Sequence, residues 1–506
     1  MAEEGRSIAR NAVLNLFSRG LPLAIAILAI PYLVRQLGPS RFGVLSLAWV
    51  IVGYFSIFDL GLGRAATRHV AHAIGSGQEW RIPDLAWTAV TAQLVLGTVA
   101  SIVLTTITPM LVGHVLNIPL SLQAEARSTF YVLSLAVPLT LVVGSVRGLL
   151  EAAQRFDLVS AVSTPLGVAN FLLPCLGVSL GWGLPAITGL LVLSSGLGLA
   201  LYLKLCTRVY PSILSVRSFK RAELGRLFSF GSWVMVSSII GPILVYLDQF
   251  ALGALLSIAA VGYYSAPYEF VTRFLIIPGS LVATLFPRFS TLHARGQQLD
   301  FERLISRSLK YLLLLVGTLV ALVISFAHDI LQVWLGPVFS EKASLALQIL
   351  AVGVIFNSAA QVPYSLVQAL DRPDIPAKLH VLELPLHLAL VWLLVKSYGI
   401  PGAALAWTLR VILDALVLFW VAFRISHLSW KLVFLERIPR TLAVVVLFSL
   451  AAALVAVAST SLWLQLGALA ATVVIMAATS WMYLFDQGDR AQIFGALGIP
   501  SRVPKE

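Results

Sequence analysis

The chain has 506 residues, 59% of them hydrophobic and only 11% charged, with a mean hydropathy of +0.91. Soluble globular proteins carry roughly 45–50% apolar and about 25% charged residues, so this composition excludes a soluble fold. The net charge of +12 follows from membrane topology and leaves no call for a nucleic-acid partner.

A spanning helix needs about 20 apolar residues, and hydropathy predicts fourteen such stretches. The first seven are Ala12–Val34, Gly43–Leu62, Leu85–Val112, Ser128–Leu150, Leu158–Leu180, Leu184–Cys206 and Leu227–Leu255. The second seven are Ile258–Phe286, Leu309–Leu335, Ser344–Leu370, Leu379–Tyr398, Pro401–Phe423, Thr441–Ser459 and Trp463–Phe485. Fourteen spans consume ~280 residues, which leaves short connections and no extramembrane domain. Pro22, Pro138, Pro165, Pro174, Pro242, Pro278 and Pro363 fall inside spans, where neighbouring helices can satisfy the freed carbonyls. Bent helices are expected. Cys175 and Cys206 lie in apolar stretches and read as buried small hydrophobes, with neither a disulfide framework nor zinc spacing. The N-terminus has no cleavage site after a short apolar run, so the first apolar segment reads as an uncleaved span.

Orientation follows from the basic residues. With the N-terminus placed inside, 27 of the 35 Lys and Arg fall in inner segments and 5 in outer ones, the rest being Arg19, Arg273 and Arg410 within spans. Both termini are therefore expected in the cytoplasm. The stretch Arg217–Arg226 reads as a basic helix on the inner leaflet.

Internal similarity divides the chain further. Arg155-Phe-Asp157 matches Arg372-Pro-Asp374, and Gly183-Leu-Pro185 matches Gly399-Ile-Pro401, at offsets of 217 and 216. Leu37-Gly38 with Gly43 resembles Leu252-Gly253 with Gly262, and Thr67-Arg68 resembles Pro287-Arg288. Six spans separate equivalents, and an even number preserves orientation. The expected fold is thus an all-α polytopic membrane protein of two six-helix lobes, related by a pseudo-two-fold along the membrane normal. The lobes would be residues 1–206 and 227–424, joined by a basic linker at 207–226. Two extra spans would occupy 425–485 and a cytoplasmic tail 486–506.

Arg35-Gln-Leu-Gly38 with Phe42-Gly43, and Phe58-Asp-Leu-Gly61 with Ala65-Ala-Thr-Arg68, resemble the opening of the bacterial polysaccharide-biosynthesis flippases. These belong to the multidrug/oligosaccharidyl-lipid/polysaccharide exporter (MOP) superfamily. Gly148–Asp157, Asp248 with Gly262-Tyr-Tyr264 and Phe286-Pro287, and Gly399–Ala404 extend the resemblance over about residues 10–425. It implies a bilobal inner-membrane transporter that carries undecaprenyl-diphosphate-linked sugar repeat units to the periplasmic leaflet. Membrane lipids and the polysaccharide polymerase machinery are the partners it implies. Many members have twelve spans; fourteen looks more like the related lipid II flippases.

Charges within spans each need a reason, because one at the bilayer centre costs about 2.5–3.5 kcal/mol on insertion scales. Glu269 with Arg273, Arg410 with Asp414, and Arg147 with Glu151 are i,i+4 pairs. Arg19 has no such acid on its own helix and is the first candidate for the substrate headgroup, since a guanidinium grips a diphosphate bidentately. Arg273 and Arg410 follow it. Asp248 and Glu383 also lack a local cation and, with Asp414, are the candidates for ion coupling by a bound proton or Na+. His387, one turn after Glu383, would be its partner, while hydrogen bonding to a neighbouring helix is the plainer account of all three acids. Asp59 is expected to pair with Arg64 or Arg68. No other cofactor and no metal is expected.

No Lys follows a Gly, so a Walker A loop is absent. Membrane sugar polymerases and ligases need a sizeable outer loop, whereas the longest here, 113–127, holds a single acid, Glu125. That argues against an enzyme. A small-molecule or multidrug exporter of the same superfamily is the nearer alternative, together with a lipid II-type flippase.

Overall fold

The computed structural model describes residues 2–55, 62–215, 219–221, 223–225, 232–295, 297–370, 372, 374–429, 438–458 and 462–485. Among them are helices, turns and no strand, as a bilayer demands: hydrocarbon offers no partner to an open sheet edge. Among the described residues, ten helical stretches are long and apolar enough to cross a membrane.

Helix α1 (Ala2–Phe55) covers the first predicted span and the second as far as Phe55. The loop expected between them is only a break at Gly38, whose φ of 70° and ψ of 168° interrupt the helix. Glycine meets no steric penalty there, and Pro39 after it has no N–H to donate. Hydropathy left the next segment as a connection, yet it forms α2 (Leu62–Gly75), which buries Leu62, Ala65, Ala66, Val70 and Ala73 along one face. Helix α3 (Ile82–Met110) runs into a π turn at Leu111–Val115. Predicted span four is two helices, α4 (Leu120–Ser134) and α5 (Ala136–Ala152). Pro138 explains the break, since it offers no N–H to the carbonyl of Ser134. Then follow α6 (Phe156–Ser179), α7 (Leu184–Val209) and the short α8 (Ser212–Ser215).

Predicted span eight is likewise broken. After α9 (Ser232–Leu255), α10 (Ile258–Thr272) ends in a 3-10 turn at Arg273–Leu275 before α11 (Ile276–Ala294) begins. Pro278 deprives Phe274 of its helical partner, so Arg273 stands beyond the helix that carries Glu269. The ninth span is displaced from its predicted bounds of Leu309–Leu335. Its helix α12 starts at Gln298 and stops at Ser325, and α13 (Ala327–Leu335) is separate. Charged residues in the first turns of α12 hid its start from hydropathy, although Phe301, Ile305, Ser308 and Leu312 form a buried face. Gly336, at φ 94°, ends α13. The remaining helices are α14 (Pro337–Ala369), α15 (Asp374–Tyr398), α16 (Ile400–Ser426), α17 (Ile438–Ala458) and α18 (Leu462–Tyr483).

Packing groups the chain into two compact units, Met1–Phe270 with Pro373–Ala406, and Val271–Arg372 with Trp407–Glu506. This is a different partition from the repeat-based lobes. The repeated motifs nonetheless occupy equivalent local positions. Asp157 and Asp374 sit in the first turns of α6 and α15, and Pro185 and Pro401 each follow the first residue of α7 and α16.

In the first unit α1 packs on α6, α3 on α5 and α5 on α7. One apolar core joins Val70, Leu85, Val146, Leu149, Tyr202 and Cys206. Arg41 Nε donates to Glu125 at 3.0 Å, and the other oxygen of Glu125 accepts the Leu184 N–H at the start of α7, also at 3.0 Å. The described part of the linker is held to the start of α3. Arg81 pairs with Glu223 at 2.9 Å, Lys220 with Asp84, and Trp87 Nε1 donates to the Ile213 carbonyl. Asp59 and Arg217 lie outside the described residues.

The second unit packs α12 on α14 and α17, and α17 on α18. Lys310, fully buried, donates to the Leu484 carbonyl at 3.3 Å and faces the rings of Tyr311 and Phe485 at 5.0 and 5.5 Å. A cation at the C-terminal end of a helix is favourable, and this one ties α18 to α12.

Gly43 packs tightly against the start of α10: a Cβ on Gly43 would lie 2.0 Å from the Ile258 oxygen. Gly43→Ala should therefore destabilise the protein by about 1–3 kcal/mol, as overpacking does. Gly144→Ala, with nothing within 4 Å of its Cβ, should be near neutral; equal melting temperatures of the two purified variants would contradict this.

Candidate functional site

The first unit buries a run of polar side chains where α9, α10 and α1 meet. Asp248 on α9 is fully buried, and Tyr264 and Gln249 nearly or fully so. The Tyr264 hydroxyl donates to one carboxylate oxygen of Asp248, while the other oxygen accepts the N–H of Gln249 at 2.9 Å. One position along, Ser265 donates to the Gln249 side-chain oxygen at 2.9 Å. Tyr264 also stacks on Tyr268, ring centres 5.6 Å apart. Hydrogen bonding across helices is what the plainer reading of Asp248 anticipates.

A cavity of about 80 Å³ adjoins this run, lined by Ser46, Trp49, Tyr246, Gln249, Ser265 and Glu269 among others. Ser46 Oγ and Trp49 Nε1 are buried there without a hydrogen-bond partner among the described residues. Since a liquid water occupies about 30 Å³, the space suits two or three waters or one small hydrated ion. Trp49 also borders a second cavity of about 240 Å³, mostly apolar, with Thr140, Asn170 and Ser195 on its wall.

Glu383, 2% exposed, and His387, fully buried, stand one turn apart on α15, which packs against α9. Two of the three acids considered for ion coupling are thus on packed helices of one unit. The third, Asp414, belongs to the second unit with Arg410, one helical turn away on α16. Arg273 is in the second unit too. Arg19 lies in α1, and its side chain is outside the described residues. Away from these candidates, the Arg147–Glu151 pair forms as expected, at 2.7 Å.

Sequence reasoning missed the roles of Tyr264, Gln249 and Ser265. The signal was present: Tyr264 and Ser265 both follow Asp248 and Gln249 by sixteen residues across a short turn. Polar residues so placed in two adjoining apolar helices are positioned to satisfy one another.

This helical architecture is that of the MOP-superfamily transporters. A multidrug-resistance MATE family transporter in its inward-facing conformation superposes with a TM-score of 0.70 at 15% identity, covering 82% of this chain and 98% of the other. The lipid II flippase MurJ, inward closed, gives 0.68 at 13% identity, over 97% and 99%. In sequence, the family described as "Polysaccharide biosynthesis protein" matches residues 8–293. A Shigella flexneri protein named "Putative O-antigen transporter" is 30% identical over 82% of this chain and 97% of its own. The Haloferax volcanii "Probable low-salt glycan biosynthesis flippase Agl15" is 25% identical over 84% and 86%. The chain belongs to the polysaccharide biosynthesis protein family, and is a multi-pass membrane protein.

Removing the Tyr264 hydroxyl leaves a buried carboxylate oxygen short of a donor, at a cost of about 1–3 kcal/mol. Tyr264→Phe should therefore lower thermal stability, and much less so on an Asp248→Asn background. A double-mutant cycle returning strictly additive effects would show that the two side chains do not interact.

Proposed function

We propose that this protein is a flippase for lipid-linked oligosaccharides. It moves undecaprenyl-diphosphate-linked sugar repeat units from the cytoplasmic to the periplasmic leaflet of the bacterial inner membrane, both termini lying in the cytoplasm. The observation that carries the reading is the match over 97% of a protein named as an O-antigen transporter. Such length agreement leaves little of this chain to supply another activity, and no catalytic machinery is invoked. The preference for an anionic lipid over a small cationic drug comes from Arg19, Arg273 and Arg410, which can hold a diphosphate.

Transport by alternating access requires contacts that open and reform. The first unit offers a set of them. Asn117 donates through its backbone N–H to the Gly253 carbonyl at 2.8 Å and through its side chain to the Ala254 carbonyl at 2.7 Å, and accepts from the Ile258 N–H at 3.2 Å. These bonds stitch the loop after α3 to the turn between α9 and α10, on the side the basic residues assign to the periplasm. Ion coupling is assigned to Asp248 and Glu383, with Asp414, where a proton or Na+ would bind.

Export in a strain lacking its own repeat-unit flippase tests the reading, with lipid-linked intermediates followed across the membrane. Arg19→Ala should abolish or sharply reduce export while the protein still inserts, and Arg19→Lys should keep part of it. Full export by Arg19→Ala at native expression removes this residue from the mechanism.

Coupling is read in proteoliposomes under an imposed pH or sodium gradient. Asp248→Asn or Glu383→Gln should bind substrate but lose the response to the gradient. If both keep the wild-type response, the coupling site lies elsewhere.

A further inference from the structure

The largest cavity described in the second unit is unlike the polar run of the first. It encloses about 890 Å³ between the end of α11 and the start of α12. Arg288, Arg295, Arg303 and Arg307 line it, and Asp300 is the one acid on its wall. Asp300 engages Arg303 only loosely, at 3.8 Å, with both side chains more than half exposed. Arg288 and Arg295 have no acidic partner among the described residues. Four basic residues elsewhere on the same predicted face behave differently: Arg81, Lys220, Arg155 and Lys378 each sit within 3.0 Å of a carboxylate. Retention of a chain's orientation needs only that basic residues lie inside; it does not need four of them turned into one hollow with a single acid.

The rest of the wall is apolar. Leu281 and Leu285 climb α11 away from the arginines toward its membrane-crossing part, Leu292 and Leu304 flank the opening, and Tyr311 closes the α12 side. A hollow with guanidinium forks at one end and a leucine track at the other fits an amphiphile whose head is a phosphate and whose tail is hydrocarbon. Free phosphate would use the forks and leave the track empty.

We propose that this arginine-lined hollow is a second binding site, for the head of a lipid-anchored phosphate or diphosphate, at the cytoplasmic end of α11 and α12. Two lipids carry that chemistry: an anionic phospholipid of the inner leaflet, and the isoprenoid-diphosphate carrier of the transported glycan. In the latter case the site rests on the flippase reading and would collect the carrier from the leaflet before it is moved.

The test uses the full chain in phosphatidylcholine nanodiscs, with binding followed by native mass spectrometry. The probes are farnesyl diphosphate, cardiolipin and inorganic pyrophosphate. Wild type should bind at least one of the two lipids, more weakly at high salt, and inorganic pyrophosphate at least tenfold more weakly. The Arg288→Gln/Arg295→Gln double variant should lose about tenfold in lipid affinity, and Arg288→Lys/Arg295→Lys should recover part of it. Both positions are exposed, so the fold should survive, and an unchanged melting temperature would verify that. Preference for farnesyl diphosphate identifies the carrier as the source, and preference for cardiolipin identifies the leaflet. Equal binding by the double variant and wild type, or inorganic pyrophosphate binding as tightly as the lipids, overturns the proposal. Export by the same double variant is scored separately. Lost lipid binding with normal export leaves the flippase reading intact and makes this a phospholipid site. A wild type that binds lipid but never exports glycan sinks the flippase reading and leaves the site standing.

Discussion

Hydrocarbon gives a polar group nothing to bond to, and almost every feature of this protein is an answer to that constraint. Each backbone N–H and C=O must be satisfied within its own segment, so the described residues are almost all helical, with short turns between. Two of the breaks come where proline removes a donor, at Leu135 before Pro138 and at Arg273–Leu275 before Pro278. Side chains obey the same rule. Asp248 is fully buried and has one oxygen taken by Tyr264 and the other by the Gln249 N–H, while Lys310 is closed off by a helix-terminal carbonyl and two rings. A buried charge without such partners would cost several kcal/mol, which is why the polar residues occur in runs and not singly.

Close approach of backbones is the second consequence. Between helices in lipid there is little hydrophobic drive, and association relies on packing of small residues. Gly43 and Gly262 face each other's helices so tightly that a Cβ on Gly262 would stand 2.6 Å from the Pro39 carbonyl. Gly97 against Pro138 and Gly148 against Thr67 do the same inside the first unit. Contacts made of backbone and glycine, with the hydrogen bonds of Asn117 beside them, carry few interlocking side chains. They can part without dragging a core apart, as a transporter's moving seam must.

Much of this was legible in the sequence. Apolar stretches of about twenty residues overlap each long helix among the described residues, because span length is fixed by bilayer thickness. The opening motif around Arg35–Gly43 and Phe58–Arg68 resembled the family to which the chain belongs. Helix ends were less legible. The start of α12 carries Asp300, Glu302, Arg303 and Arg307, and hydropathy averages such residues into a loop although one face of each turn is buried. The amphipathic α2 was missed for the same reason, since half its surface is polar. The partners of Asp248 were less plain: Tyr264 and Ser265 share a sixteen-residue offset from Asp248 and Gln249, but that spacing becomes a hydrogen bond only once the two helices pack.

The same packing bears on how ion binding could be felt by the rest of a transport cycle. A ligand shifts a conformational equilibrium only through different affinity for the two states, so its site must change when the protein does. Asp248 meets that condition through Tyr264, because its donor is carried by α10 and not by its own helix. The same α10 ends in the 3-10 turn at Arg273–Leu275, beside the point where the chain passes from the first compact unit to the second. Any motion that shifts α10 against α9 would change the donor that Asp248 sees and, in the proposed coupling, its proton or cation affinity. Conversely, neutralising Asp248 would loosen the hydroxyl that anchors α10. In the proposed flippase, Tyr264 would thus tie ion binding at Asp248 to the position of α10.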